Sequence, residues 1–210
     1  RDVVGPHARE QTGADALHIG EVLAGKYRIH TLVGQGHFTK AYLAEDTAVG
    51  GMVCLKRHRS LAVEALADLM VIGQRMDEVD TGGILFPRLV DAFYDFVCFT
   101  VESLVEGQNC ISLAQSLPGF FRDLRNLRIV AQGVLIGLSH LDRAGVVHND
   151  VKPDNLMWVG DPSAGDFSPR SGEGPRVKIV DFGCARLDQR EESGRNWSLA
   201  EGGAGHLGKW

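Results

Sequence analysis

Apolar positions recur along this chain with two different periods, and the change from one to the other divides it into two unlike halves. Between Tyr27 and Lys56 the apolar residues fall into short alternating runs, Tyr27–Val33, Phe38–Glu45 and Met52–Lys56, separated by Gly34-Gln35-Gly36 and Gly50-Gly51. Alternation sends successive side chains to opposite faces of a strand, and paired glycines supply turns, so this stretch predicts an antiparallel meander. Leu61, Ala65, Leu69, Ile72 and Met76 then step by three or four, the spacing of one helix face. Two more strand-like runs follow at Phe86–Phe93 and Val97–Val101. After residue 110, Leu124, Leu127, Ala131, Val134, Leu138 and Leu141 mark one face of a long helix that Gly145 is placed to stop. Gly133 and Gly137 lower helix propensity inside it, so another element is expected to pack closely there. Residues 160–176 are rich in Gly, Pro and Ser and read as a surface insertion, with a strand at Val177–Val180 beyond it. No internal repeat is visible. Strands first and helices second predict an α+β architecture, a small sheet lobe followed by a helical one.

Composition narrows this only a little. The 210 residues, 44% hydrophobic and 23% charged, are those of an ordinary globular chain with room for one sizeable domain or two small lobes. A net charge of −5 provides no global basic field for nucleic acid or anionic lipid, and Lys56-Arg57-His58-Arg59 is too short a run to change that. No apolar stretch is long enough to span a bilayer. Neither nucleic acid nor membrane is therefore expected as a partner. The four cysteines, Cys54, Cys98, Cys110 and Cys184, lie far apart without a CxxC pair. Cys54 and Cys98 sit in apolar runs as reduced thiols would, which suits an intracellular protein, cytoplasmic or nuclear.

Four segments carry candidate chemistry. Gly34-Gln35-Gly36 joins two strands, where glycines let backbone N–H groups approach phosphate oxygens or simply serve a hairpin turn. Val53-Cys54-Leu55-Lys56 closes an apolar strand with a lysine, fit either to reach phosphates in a cleft or to guard a sheet edge. The third segment, His148-Asn149-Asp150-Val151-Lys152-Pro153-Asp154-Asn155, lies on a loop after the long helix. There Asp150 can take the proton of an attacking hydroxyl, Lys152 can neutralise a moving phosphoryl group, and Asn155 offers an oxygen to a hard cation. The fourth, Asp181-Phe182-Gly183, follows a short strand and places a carboxylate where Mg²⁺ would bridge phosphates. The glycine turn, the strand lysine and a DFG tripeptide are each common by themselves, whereas the fixed order HxDxKPxN in the third segment is hard to reach by chance. The order of the segments along one chain makes a phosphotransfer site the reading that accounts for all four.

On these motifs, over residues 25–205, the chain resembles the eukaryotic protein kinases. Lys152 resembles the Ser/Thr branch, and GKYRIHTLVGQGHFTKAYLAED with VCLK is most similar to the dual-specificity, tyrosine-regulated (DYRK-type) kinases. The resemblance implies a bilobal fold, with an extension at 1–24, a sheet-rich lobe at 25–104 and part of a helical lobe at 105–210. It implies ATP and Mg²⁺, and a protein substrate phosphorylated on serine or threonine, with tyrosine included for a dual-specificity enzyme. Lys56 would act on the α/β-phosphates, with Asp150 and Lys152 catalytic and Asn155 and Asp181 on the metal. Val33, Gly34 and Gly36 would cover the nucleotide, and Ala41, Cys54 and Met157 would sandwich the adenine. Val101 would be the small residue behind the base, and Glu102 and Leu104 would bond its edge through their backbones.

The sequence departs from that family pattern at several points. Thr39 stands in place of the third glycine of the phosphate loop, and Asn149 in place of the arginine that usually precedes the catalytic aspartate. The helix carboxylate that pairs with the strand lysine is expected at Asp68 or Glu64, one turn apart. After Gly183 the chain runs to Trp210 without the helices that complete the helical lobe, so it is expected to be part of a longer kinase.

Overall fold

The computed structural model describes residues 17–36, 38–162 and 176–188. Its first half is a six-stranded antiparallel sheet in the order β1-β2-β3-β4-β6-β5. The strands are β1 (Val22–Leu23), β2 (Tyr27–Gln35), β3 (Thr39–Asp46), β4 (Met52–His58), β5 (Leu89–Asp95) and β6 (Val97–Ser103). The predicted meander is therefore present, and the alternation explains which face is buried. Tyr27, Ile29, Tyr42, Ala44, Val53, Leu55, Phe99 and Val101 form a closed core on one side of the sheet. Register shifts between Ile29 and Thr31, and again between Leu32 and Gly34, bend β2 as it approaches the glycine loop.

Against the other face lies α1 (Glu64–Val79), burying Leu66, Leu69, Ile72, Gly73 and Met76. Gly73 is where α1 comes nearest β5, since a Cβ there would stand 2.8 Å from that of Leu89. The helix starts later than the apolar spacing suggested, and the strand expected from Phe86 begins only at Leu89. Asp80 accounts for the second shift. Its carboxylate accepts the backbone N–H groups of Ile84 (2.9 Å), Leu85 (2.8 Å) and Phe86 (3.1 Å), curling this segment into a loop. Phe86 is thereby turned into the core instead of entering the sheet.

The second half begins with the short strand β7 (Gly107–Asn109) and α2 (Cys110–Ser116), capped by the Asn109 side chain. Neither was legible in the sequence. Then comes α3 (Leu124–Arg143), capped by Asp123 and followed by Gly145 at φ 63°. Short strands follow at β8 (Val146–Val147), β9 (Leu156–Val159), β10 (Val177–Ile179) and β11 (Arg186–Leu187). The close packing expected at the helix glycines is present: a Cβ on Gly133 would lie 2.9 Å from that of Val177, and one on Gly137 2.7 Å from Ile179 Cδ1. The packed stripe is consequently Asn126, Gly133, Gly137 and Leu141, and Leu124, Leu127 and Leu138 of the predicted face are exposed. The glycines set the line of closest approach, and the leucines flank it. The expected insertion at 160–176 lies almost wholly outside the described residues, as do the lead-in before residue 17 and everything after 188.

Candidate active site

Pairing of β8 with β11, Val147 opposite Arg186, holds the loop 148–155 against the segment that follows β10. His148 is buried at the junction. Its Nε2 lies 3.1 Å from the Val180 carbonyl, and its Nδ1 lies 3.2 Å from the Asp150 N–H. A carbonyl can only accept and an amide N–H can only donate, so the ring is the neutral Nε2–H tautomer bridging the two segments. Burial, partly offset by the Val180 carbonyl, keeps its pKa below the usual value. Phe182 packs on this ring at 4.7 Å and meets Phe86 edge-on at 5.7 Å, so an aromatic stack ties the Asp181 segment to the core.

Asp150 is half-buried, and its orientation is fixed from two sides. Oδ2 accepts from Lys152 Nζ at 2.7 Å and from Asn155 Nδ2 at 2.9 Å. Asn155 Nδ2 also donates to the Asp150 backbone carbonyl at 2.8 Å. Both amide hydrogens of Asn155 are thus committed, and Oδ1 is the atom left to meet a cation. Asn149 has φ 65°, a conformation asparagine tolerates, and its Nδ2 donates to the Cys184 carbonyl at 3.0 Å. Where the kinase pattern has an arginine, this chain uses a neutral amide to clip the loop to the segment after Gly183.

Lys56, at the sheet end of the cleft, is 7% exposed. Its Nζ is 2.9 Å from Glu102 Oε1 and 3.5 Å from Asp181 Oδ1. Burial alone would lower the Lys56 pKa, but the two carboxylates outweigh it and raise it. Burial likewise opposes the charge on Asp181, yet the Lys56 ammonium holds its pKa below the ordinary carboxylate value. Asp181 has φ 68°, an uncommon backbone conformation for a non-glycine residue.

The expected Lys56 partners are corrected here. Glu64 and Asp68 both stand on the exposed side of α1, and the nearer of the two carboxylates on Lys56 comes from β6. The helix residues facing this region are Leu69, Ile72, Gly73 and Met76, which with His58, Thr100, Glu102 and Phe182 line a narrow cavity behind Lys56.

Strand register corrects a second expectation. Lys56 lies opposite Thr100, Cys54 opposite Glu102, and Leu55 opposite Val101. Cys54, Lys56, Thr100 and Glu102 therefore share the cleft face, and Leu55 and Val101 share the other. Val101 is fully buried in the sheet's outer core and does not stand behind a base. Glu102 occupies the cleft-facing position one residue later. The resemblance pointed to Val101; only the pairing register shows that the charged neighbour is inside, paired with Lys56.

The remaining candidates fall around the same cleft mouth. Gly34 pairs with Ala41 across β2 and β3, and Ala41 is opposite Lys56 across β3 and β4. The Gly36 N–H is given to the Thr39 carbonyl at 2.8 Å, so this glycine closes the turn itself. Val33 is exposed, and Ala41, Cys54, Leu104 and Met157 are half-buried. Burial pushes the Cys54 thiol up to about 11, leaving it un-ionised at neutral pH. Ser103 donates its N–H to the Arg88 carbonyl at 2.8 Å, anchoring the point where the sheet gives way to the connection toward β7.

Two residues of consequence escaped the sequence reading. His58 is buried on β4 with Nε2 2.8 Å from Thr100 Oγ1, and burial lowers its pKa to about 4. Asp80 was not singled out because its role, capping three amides, depends on a loop that no periodicity announces.

Among the described residues no group of three His, Cys, Asp or Glu side chains could hold a metal ion. None of their helices is long and apolar enough to cross a membrane.

Comparison with known proteins gives one family and many relatives. The family model described as protein kinase domain matches residues 27–200. The chain is 29% identical to serine/threonine-protein kinase pkn3 of Myxococcus xanthus, over 84% of this chain and 31% of that protein. It is 29% identical to probable serine/threonine-protein kinase pknA2 of Bifidobacterium longum, over 79% of this chain and 21% of that protein. Against protein kinase dsk1 of Schizosaccharomyces pombe it is 30% identical, over 72% of this chain and 30% of that protein. The chain thus spans a third or less of the length of these relatives.

Proposed function

This chain belongs to the protein kinase domain family, and we propose that it transfers the γ-phosphate of Mg·ATP to serine or threonine hydroxyls of a protein substrate. The observation that carries this reading is the fixed carboxylate of Asp150, held by Lys152 and Asn155 beside a buried lysine–carboxylate pair.

In the reaction a substrate hydroxyl oxygen bonds to the γ-phosphorus as the bond from that phosphorus to the β–γ bridging oxygen breaks, releasing ADP. Asp150 orients the hydroxyl and accepts its proton. Lys152, already 2.7 Å from Asp150, neutralises charge on the phosphoryl group as it moves past. Lys56 holds the α/β-phosphates as a cation whose pKa its carboxylate neighbours raise. Positioning and charge stabilisation supply most of the rate, because phosphoryl transfer asks little covalent chemistry of the protein.

The donor set fits a magnesium ion shared with its substrate. Asn155 Oδ1 and the Asp181 carboxylate are hard oxygens, the ligand type of an ion that keeps waters and phosphate oxygens as its other ligands. When bound, the ion neutralises charge on the β- and γ-phosphates. Ala41, Cys54 and Met157 would flank the base, with the 103–105 connection along its edge. That is one residue beyond the Glu102 and Leu104 backbones first expected, because the register moves the cleft-facing position from Val101 to Glu102.

The test is transfer of label from γ-labelled ATP to a general acceptor such as casein, with Asp150→Asn beside the parent. Asp150→Asn should lower kcat by about 100-fold or more while leaving ATP affinity within a few-fold, because Asp150 acts on the acceptor hydroxyl. Equal transfer by both would remove the proposed role of Asp150, and ATP binding by the parent without transfer would make this a nucleotide-binding module.

A further inference from the structure

Glu102 is a buried charge to which the expected scheme gave only a backbone role. It is 7% exposed, faces the cleft from β6, and meets the Lys56 ammonium at 2.9 Å. A carboxylate is desolvated at such a position only against a compensating partner, and Lys56 is that partner. On the facing helix, Leu69 and Gly73 line the cavity, and Glu64 and Asp68 are exposed. We propose that Glu102 is the positioning residue for Lys56, so that the carboxylate aiming the phosphate-binding lysine comes from the sheet and not from helix α1.

The geometry gives this a physical consequence. Lys56 and Glu102 sit on adjacent paired strands, with Lys56 opposite Thr100 and Cys54 opposite Glu102, so sheet hydrogen bonds fix their separation. The α1 residues that line the cavity beside Glu102 are Leu69, Ile72, Gly73 and Met76. A shift of α1 would therefore leave the Lys56–Glu102 pair intact. Asp181 Oδ1 at 3.5 Å is the second contact of Lys56, so Glu102 also lets Lys56 stay ordered if Asp181 turns toward a cation. The inference rests on the phosphotransfer reading for the identity of the lysine's target, and the experiment is chosen to separate the two.

Affinities for ATP and for adenosine are measured on the protein, for the parent and for Glu102→Gln, Glu102→Asp, Lys56→Met and Lys56→Met/Glu102→Gln. Melting curves accompany each variant as a check of folding. Glutamine keeps the shape of Glu102 and removes its charge; aspartate keeps the charge and shortens the arm. For a positioning role, Glu102→Gln weakens ATP by about tenfold with adenosine within about twofold, since only ATP carries phosphates for Lys56 to hold. Glu102→Asp lies nearer the parent than Glu102→Gln, and the double variant binds ATP no more weakly than Lys56→Met alone. A packing role predicts the reverse order, with Gln the milder change, and effects that add. Parental ATP affinity in Glu102→Gln, equal losses for ATP and adenosine, or additivity with Lys56→Met would each overturn the proposal. If Glu102→Gln does not fold, Glu102→Asp decides by the same ATP-against-adenosine split. Should the parent bind ATP with the expected pattern yet transfer no phosphate, the positioning role stands and the phosphotransfer reading falls. Should the parent transfer phosphate and Glu102→Gln behave like it throughout, the reverse holds.

Discussion

Two glycines on one helix, Gly133 and Gly137, should respond differently to the same added methyl group. At an exposed site inside a helix, Gly→Ala stabilises by about 0.8–1 kcal/mol through backbone entropy. Both positions here face β10, and each new Cβ would arrive within 3.0 Å of a neighbour. At Gly133 that neighbour is Val177 Cβ at 2.9 Å, with the Val177 carbonyl oxygen at 3.4 Å. These atoms ride on the backbone of β10, whose pairing with β9 sets Val177 opposite Trp158. No rotamer change relieves the contact, so α3 and β10 must separate, at an overpacking cost of about 1–3 kcal/mol. At Gly137 the nearest atom is Ile179 Cδ1 at 2.7 Å, the end of a side chain that can swing, with Cγ1 at 3.3 Å. Setting cost against propensity, Gly133→Ala should lose about 1 kcal/mol and Gly137→Ala should fall within about 0.5 kcal/mol of neutral. Thermal unfolding would show this as a fall of roughly 2–4 °C for Gly133→Ala and almost none for Gly137→Ala. A higher melting temperature for Gly133→Ala, as at an ordinary helix glycine, would refute the claim that close approach to β10 dictates that residue.

Other outcomes follow from buried polar groups. Asp80→Ala removes the acceptor for three amides, two of them buried, and should cost about 2–4 kcal/mol in urea unfolding; a loss below about 0.5 kcal/mol would mean the 80–86 loop holds itself. His58 has a folded pKa of about 4, depressed below its ordinary 6.5, because burial and the Lys56 charge both penalise the imidazolium. Its neutral form therefore adds stability that is fully present above pH 6.5 and is lost as pH falls toward 4, a swing on the order of 3 kcal/mol. Comparing the parent with His58→Gln between pH 7 and 4 should show a steeper loss in the parent, and parallel slopes would contradict the burial argument. The depressed Asp181 pKa has the same direction at lower pH: its contribution is present above the ordinary carboxylate pKa and fades as pH falls through its lowered one.

Local pattern made the sheet and both long helices legible, because alternation and three-four spacing report a single buried face. The site loops were legible for another reason: Asp150, Lys152, Asn155 and Asp181 belong to short contiguous motifs whose spacing survives without any knowledge of packing. What escaped depended on pairing between distant segments. The choice between Val101 and Glu102 turns on the register of β6 against β4, and a one-residue difference exchanges core for cleft. The helix carboxylates Asp68 and Glu64 were attractive by position, yet the apolar stripe Leu69, Ile72 and Met76 rotates them to solvent. The leucines of α3 misled in the same way, since its true contact line runs through glycines that a hydrophobicity pattern cannot register. Phe86 looked like the start of a strand because nothing in its own neighbourhood announces the Asp80 cap.

The convergence of Asp181, Lys56 and the 148–155 loop on one triphosphate is tested most directly by Asp181→Asn in the full-length protein, assayed for transfer of γ-label from ATP across a range of Mg²⁺ concentrations. Asparagine preserves the size of the side chain and removes the charge that both Lys56 and a divalent cation would meet. The account predicts a fall in transfer of about 100-fold or more, with folding intact by melting curve. Transfer at the parental rate and with the parental Mg²⁺ dependence would contradict it.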